Sequence, residues 1–324
     1  MAVDPKALVR ALFASRPVSR PPFIPLMATA AARFMQLPVK QMFSDATSLA
    51  NALQSCQRLF RYDGIVVLPD CTLEAEACGC ELLWSEGQPP EVRAPAFRSV
   101  DALESVDTGS VQHRGRIPAV QEAAGRLVQV AGRQVAVLGA ITGPCTMGRH
   151  LLGEALSPSA DATIRKLAEF WTGVAVPLAR AYGELKLDGI IVWDPDLPAL
   201  EAVRYEGIGS GFKTLRNVVN FYDAALMLQT AGLSLEQEEA IFGLEADGFA
   251  PGVLTPGPNR PSGKVLGLGI PAQAMVGEAG DVERSVLELK KQGGNVFLTI
   301  EGEVPVSTPA LNMHRVMQVL AAEA

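Results

Sequence analysis

The chain has no cluster of basic residues. Its 28 Lys and Arg are scattered among 35 Asp and Glu, giving a formal charge of −7 over 324 residues, so a nucleic-acid partner is not expected. Cysteines are few: Cys56, Cys71, Cys78, Cys80 and Cys145. An odd number on mostly apolar patterns argues against a disulfide framework and for reduced thiols. No apolar run reaches the roughly 18 residues needed to span a bilayer, so no membrane association is expected. The first residues, MAVDPKALVRALFASRP, are amphipathic and too charged for a secretory signal. These absences point to a cytoplasmic protein. What is present is core-forming material: 48% hydrophobic residues against 19% charged.

Short apolar runs recur along the chain, each followed by polar or Gly/Pro residues and then a helical pattern. They are FIPLMA (23–28), GIVVLPD (64–70), VAVLGAITGP (135–144), GIIVWDPD (189–196), NVVNFYD (217–223), DGFAPGV (247–253), KVLGLGI (264–270) and NVFLTIEGE (295–303). Continuous rather than alternating apolar strands suit a parallel sheet covered on both faces. Between them, SDATSLANALQSCQRLFRYDG and DVERSVLELKKQGG carry helix caps, helical spacing and, in the second, an acidic start and basic end. AALMLQTAG (224–232) reads as a helix closed by its glycine. Eight βα units predict an α/β fold, a (β/α)8 TIM barrel in one domain over 1–324; strand count alone also admits a doubly wound open sheet. Residues 81–131 break the rhythm. ELLWSEGQPPEVRAPAF looks like a hairpin and RIPAVQEAAGRLVQVAG like a helix, so this stretch is expected to be an insertion between strands 2 and 3. EAVRYEGIGSGFKTLRN (201–217) and LTPGPNRPSGK (254–264) read as long loops. The GIGSG run lacks the Lys-Ser/Thr ending of a phosphate loop.

Candidate chemistry lies at strand ends. Asp70 ends one strand, either as a helix cap or as a carboxylate facing a pocket. Asp194 and Asp196 end another and can cap the next segment or bind a cation. Asn220, Tyr222 and Asp223 follow Val218 and Val219 at what reads as a third strand end. Glu301 and Glu303 close the last strand. His150 sits in a helix and either faces the pocket as an acid/base or lies on the surface; His113 reads as a surface residue and His314 as structural. Cys78 and Cys80 form Cys-x-Cys without a second paired motif, so they read as small core residues rather than metal ligands.

Three segments together resemble the uroporphyrinogen decarboxylase superfamily, which includes the corrinoid-dependent methyltransferases. They are GIVVLPDCTLEAEACGCELLWSEGQPPEV, GAITGPCTMGRHLLGE and EGEVPVSTPALNMHRVMQVL. The resemblance implies a (β/α)8 barrel with its pocket at the carboxyl ends of the strands. The decarboxylases' Asp falls on Asp70 and one of their two loop Arg on Arg33, but the other falls on Thr29. Their Tyr falls on His150, their Ser on Pro195 and their C-terminal His on Glu301. A polycarboxylate substrate needs cationic partners, so these departures favour the methyltransferase branch. That branch's zinc-binding His-x-Cys after the fifth strand is aligned with Asn220 and Tyr222, and its later Cys with Gly302. Such residues do not supply soft, tight zinc coordination, so no metal ligands are expected and zinc is not expected at the usual Cys/His site.

The expected function is therefore methyl transfer between a small substrate and cobalamin, a corrinoid carried by a separate protein, since the sequence has no Asp-x-His-x-x-Gly run. Glu301, His150, Asp70, Tyr222 and Asp223 are the candidate catalytic residues. Thr29, Arg33, Cys145, Asp194 and Asn220 are the candidate substrate contacts. Glu301, walled by Met27 and Trp193, is expected to be the proton donor. Expected partners are the corrinoid protein, the small molecule and a second copy of the chain as a homodimer. Two other readings stand beside this one: a cofactor-independent decarboxylase or lyase, which needs a cation such as Arg33, Arg149, Arg204 or Lys213 in the pocket, and a non-catalytic binding relative.

Overall fold

The computed structural model describes residues 4–156, 161–201, 205–230, 232–252 and 263–322. Its strands are β1 (Gly64–Val67), β2 (Glu81–Leu83), β3 (Glu91–Ala94), β4 (Ala136–Thr142), β5 (Gly189–Trp193), β6 (Ala225–Gln229), β7 (Gly248–Ala250), β8 (Val265–Ile270) and β9 (Val296–Ile300). Seven of them form one curled parallel sheet in the order β1-β4-β5-β6-β7-β8-β9. The segment around Phe23–Leu26 lies between the two edges of this sheet. It bridges β9 at Leu298, and the Asp63 amide, just ahead of β1, donates to the Phe23 carbonyl at 2.9 Å.

Both faces of the sheet are buried, which explains the unbroken apolar runs. Along β1 and β5 alternate residues part company. Val66, Leu68, Ile191 and Trp193 join an inner cluster with Leu26, Leu138, Met227 and Phe297. Ile65, Val67, Ile190 and Val192 join the outer layer against the helices. Helix Pro5–Phe13, capped by Asp4, closes the amino end by sending Val9 and Leu12 into the inner cluster. The helix Ala46–Phe60 is capped by Asp45, whose carboxylate accepts from the Ser48 amide. No helix among the described residues is long and apolar enough to cross a membrane, and all five cysteines are free.

The region 200–232 corrects the sequence reading. Residues 217–223 are not a strand. They end a long helix, Tyr205–Phe221, and the turn after it, while the segment read as a helix supplies β6. The GIGSG run lies inside that helix rather than in a loop. Its glycines are there for close packing. A Cβ on Gly207 would meet Ile164 at 2.9 Å, and one on Gly211 would meet Thr172 Oγ1 at 2.5 Å. Helix Tyr205–Phe221 can therefore lie directly on helix Asp161–Glu184, and that contact outweighs glycine's poor helix propensity. Most of 254–264 lies outside the described residues.

Between β1 and β4 the chain forms the antiparallel hairpin β2–β3, two short 3-10 turns and the helix Ile117–Val130. Trp84, just past β2, carries the guanidinium of Arg116 at 5.0 Å and the ammonium of Lys40 at 5.6 Å over its ring. These contacts fasten the hairpin to the rest of the fold.

Candidate active site

Parallel pairing puts one end of every strand on the same side. Thr142, Trp193, Gln229 and Ala250 are in register across β4, β5, β6 and β7. At this carboxyl end a cavity of about 570 Å³ is lined by Asp70, Cys71 and Thr72 after β1, by Arg149, His150 and Gly153 of the next helical segment, and by Glu303 after β9. The hairpin supplies the remaining wall, with Pro89, Pro90, Glu91 and Val92, followed by Pro95.

Asp70 is not a free carboxylate. Arg116 grips it with Nη1 at 2.5 Å and Nη2 at 3.2 Å, and holds Glu76 through Nε at 2.7 Å. Thr72 donates to Asp70 through both its amide, at 2.8 Å, and its hydroxyl. Asp70, Thr72 and Arg116 are buried, and Glu76 is partly exposed. Arg116 lies in the stretch 81–131 and was not among the sequence candidates. No spacing rule links it to Asp70; only the fold brings them together.

Glu74, one turn into the short helix after Asp70, accepts from the amide and hydroxyl of Thr142. Burial pushes its pKa up against those hydrogen bonds. Asp194, at the end of β5, caps the helix Pro144–Leu152. It accepts from the Cys145 amide at 3.0 Å and from the Thr146 amide and hydroxyl, both at 2.8 Å. Burial still raises it to about 6. Its neighbour Asp196 pairs with Arg149 at 2.8 Å. Cys145 is buried at that helix start, and desolvation, then Asp194, pushes its thiol far up. The Cys71 thiol is also pushed far up, by burial first and then by Glu303, Asp70, Glu74 and Asp194 around it.

Two groups in the cavity are suited to proton chemistry near neutral pH. Glu303 is half-buried, and desolvation, then the nearby charge of Asp70, raise its pKa to about 7. His150 is 9% exposed. Burial and Arg149 hold it below its ordinary value, and Nδ1, itself buried, has no partner. Glu301 stands at the same end, its amide continuing the ladder to the Ile270 carbonyl at 2.9 Å. It does not line the cavity; Glu303, two residues on, does. Thr29 is buried at this end with its hydroxyl unpartnered. Arg33 is exposed and donates to the Thr308 carbonyl at 2.8 Å, which ties the first loop to the last.

Asn220, Tyr222 and Asp223 lie elsewhere. Because 217–223 ends a helix leading into β6, they sit at the amino end of the sheet. Asn220 and Asp223 line a separate hollow with Arg10, Asp188 and Asp247. Tyr222 packs on Gly183, where a Cβ would fall 2.3 Å from its ring. Asp223 turns the chain with φ 57°. Their assignment as site residues is therefore withdrawn. The carboxyl end of β6 carries Gln229 and Thr230 instead. Gln229 is buried, donates to Thr299 Oγ1 at 3.4 Å and leaves its carbonyl oxygen unpartnered.

A curled parallel sheet with an acid-lined pocket at its carboxyl end defines an enzyme-like α/β site. The chain matches the family model described as uroporphyrinogen decarboxylase (URO-D) over residues 4–167 and belongs to that family. Methylcobamide:CoM methyltransferase MtbA of Methanosarcina acetivorans is 23% identical over 264 residues, covering 75% of this chain and 76% of the relative. MtbA of Methanosarcina mazei is 24% identical over 215 residues, covering 64% and 61%. A methyltransferase structure from Methanosarcina mazei superposes with a TM-score of 0.85 at 18% identity, covering 98% of both chains.

Proposed function

We propose that this chain is a methyltransferase that moves a methyl group between a small substrate in the carboxyl-end cavity and a corrinoid presented by a separate protein. The fold is read as a (β/α)8 barrel whose first position is the irregular segment at Phe23–Leu26, with 81–131 as an insertion that walls the pocket. The observation that carries the reading is Glu303, a carboxyl poised near pH 7 inside the cavity, in a chain similar to MtbA over three quarters of its length. A group with that pKa gives a proton to a departing oxygen or nitrogen, or takes one from an attacking thiol, with little bias at neutral pH. Neutral His150 lines the same cavity. The Arg116–Asp70 pair holds a fixed charge behind them. A corrinoid presented by the partner protein would supply or receive the methyl group.

A zinc-activated thiol does not fit these residues. β6 ends on Gln229 rather than on a His or Cys, and Gly302 has no donor side chain. No step is assigned to zinc. Decarboxylation, which the family description names, finds little support. Arg116 is committed to Asp70 and Glu76, Arg149 to Asp196, Arg33 to the Thr308 carbonyl, and Lys213 is exposed on helix Tyr205–Phe221. Arg204 lies outside the described residues.

The test is to mix the purified protein with methylcobalamin and, separately, with a corrinoid protein, and to offer thiols, amines and aryl ethers. The corrinoid spectrum and the methylated product are followed together. Protein-dependent transfer is expected. Its absence with every combination, or carbon dioxide release from a carboxylic acid instead, would overturn the reading.

A further inference from the structure

One side chain ties together three segments around the cavity. Arg116 is buried at the start of helix Ile117–Val130. Besides its two bonds to Asp70, its Nη2 donates to the Thr72 hydroxyl at 3.0 Å. Its Nε donates to Glu76 at 2.7 Å, and its amide reaches the same carboxylate oxygen at 3.3 Å. Its central carbon lies over the Trp84 ring, 5.0 Å from the ring centre. A guanidinium's N–H groups lie in its plane and leave its faces free, so it serves carboxylates and an aromatic ring at once; a lysine ammonium has neither fork nor face.

The hairpin that carries Trp84 is otherwise loosely joined. The chain is pinned just before it, where the Cys80 amide donates to the Ala75 carbonyl at 2.9 Å, and just after it, where the Phe97 amide donates to the Leu151 carbonyl at 3.0 Å. Among the described residues, no hydrogen bond or ion pair joins 81–94 to the rest of the chain; Arg93 pairs with Glu81 inside the hairpin. Side-chain packing seats it: Trp84 and Val92 against the outer core, and Trp84 with Arg116 and Lys40. Yet the hairpin supplies Pro89, Pro90, Glu91 and Val92 of the cavity wall.

We propose that Arg116 is a positioning residue that couples the hairpin wall to the cavity carboxylate Asp70. With Trp84 seated, the guanidinium is aimed at Asp70; when Trp84 leaves, that grip loosens. The coupling is reciprocal: a change at Asp70 is felt at Trp84, and a change at Trp84 is felt at Asp70. Wall and carboxylate are thus set in place together. The coupling itself does not depend on the reaction; its consequence for methyl transfer rests on the function proposed above.

Two measurements on the full chain test it. The sequence has three tryptophans, Trp84, Trp171 and Trp193, so 5-fluorotryptophan labelling gives three fluorine resonances, with Trp84 assigned by its loss in Trp84→Phe. The Trp84 resonance should move in Arg116→Lys and also in Asp70→Asn, a change made on the far side of the guanidinium. The Trp171 resonance, from the outer layer, should stay. Hydrogen exchange read by mass spectrometry is the second measurement. Amides of 81–94 should exchange about tenfold faster in Arg116→Lys and in Trp84→Leu, the scale of a lost cation–π contact, while peptides from β4 to β6 keep their rates. Trp84→Phe, which retains an aromatic face, should exchange as the wild type does. Circular dichroism confirms that each variant folds. A Trp84 resonance indifferent to Asp70→Asn, or hairpin exchange unchanged in Arg116→Lys and Trp84→Leu, would overturn the proposal. Faster exchange along the whole chain would also overturn it, because Arg116 would then only stabilise the fold. Where transfer from methylcobalamin is measured, Trp84→Leu should slow it about tenfold or more, and Trp84→Phe should restore it; a rate indifferent to Trp84→Leu would overturn the link to the site. Coupling without any corrinoid-dependent transfer sinks the methyltransferase reading and spares this one. Transfer without coupling does the reverse.

Discussion

The two ends of the sheet use the same residue type in opposite ways. At the amino end, Asp63, Asp188 and Asp247 each stand immediately before a glycine that opens β1, β5 or β7. Each carboxylate accepts from a backbone amide of a neighbouring chain segment: Phe23 at 2.8 Å, Val137 at 3.0 Å and Leu226 at 2.9 Å. Each also meets a cation. Arg20 takes both oxygens of Asp63 at 2.8 Å, Lys6 and Arg10 share Asp188, and Arg216 holds Asp247 at 2.7 Å. The glycine lets the next strand come close; a Cβ on Gly248 would lie 2.5 Å from the Val265 carbonyl oxygen. This is one structural staple used three times. At the carboxyl end, Asp70, Glu76 and Asp196 are held by guanidinium groups, whereas Glu74, Asp194 and Glu303 have raised pKa values. Satisfied carboxylates hold the sheet together, and Glu303, the incompletely compensated one in the cavity, is the one the proposed chemistry uses.

The largest effect expected from this contrast concerns stability. Arg20 and Arg116 are both buried partners of buried aspartates. Changing either to Met strands a charge, at a cost of about 3–5 kcal/mol. Urea midpoints should drop similarly for the two. Hydrogen exchange in the hairpin should quicken only for Arg116→Met. If Arg20→Met loosened the hairpin equally, the two ends would not be divided as described.

Next comes turnover. Glu303→Gln should slow methyl transfer about 10²-fold, the common scale for losing a general acid or base, measured in single turnover. Asp188→Asn, at the other end, should lower stability but leave the rate of the folded protein unchanged. An unaffected rate in Glu303→Gln would move the proton role to His150 or Glu301.

How much of this was legible in the sequence differs between the ends. The seven sheet strands were mostly visible, because burial on both faces makes unbroken apolar runs. The failure at 217–229 has a physical cause. NVVNFYD and AALMLQ are both apolar enough for either structure, and glycines at 207, 209 and 211 hid the helix that leads into them. The contact of Gly207 and Gly211 with helix Asp161–Glu184 is tertiary and leaves no local signal. That one exchange moved Asn220, Tyr222 and Asp223 to the wrong end. The repeated Asp-Gly before apolar residues, in DGIVV, DGIIV and DGFAP, was a signal for the staples that went unread. Asp70, Asp194 and His150 were legible from strand ends and motif. Arg116 was not, since its partner is 46 positions away. Glu303 was passed over for Glu301 because the two differ only in which one faces the cavity.

The smallest effect, and the most direct measure of the contrast, is the dependence of stability on pH. Glu303 has a folded pKa of about 7 against an ordinary 4.5, and Asp194 about 6 against 3.8. Both are raised, so between roughly pH 4 and 7 the folded state holds more protons than the unfolded chain. Stability from these groups is complete below their unfolded values and is lost as pH rises through the folded ones. Wild-type protein should therefore lose stability between pH 5 and pH 8. Glu303→Gln cannot ionise at that position and should escape its share. The variant should match the wild type near pH 4.5 and exceed it at pH 8 by on the order of 2 kcal/mol, a figure reduced for the partial exposure of the carboxyl. Urea unfolding of both proteins across this range gives the comparison directly. A gap that stays constant with pH would mean that Glu303 is compensated as fully as the amino-end aspartates, and the distinction between the two ends would fail at the residue on which the proposed chemistry depends.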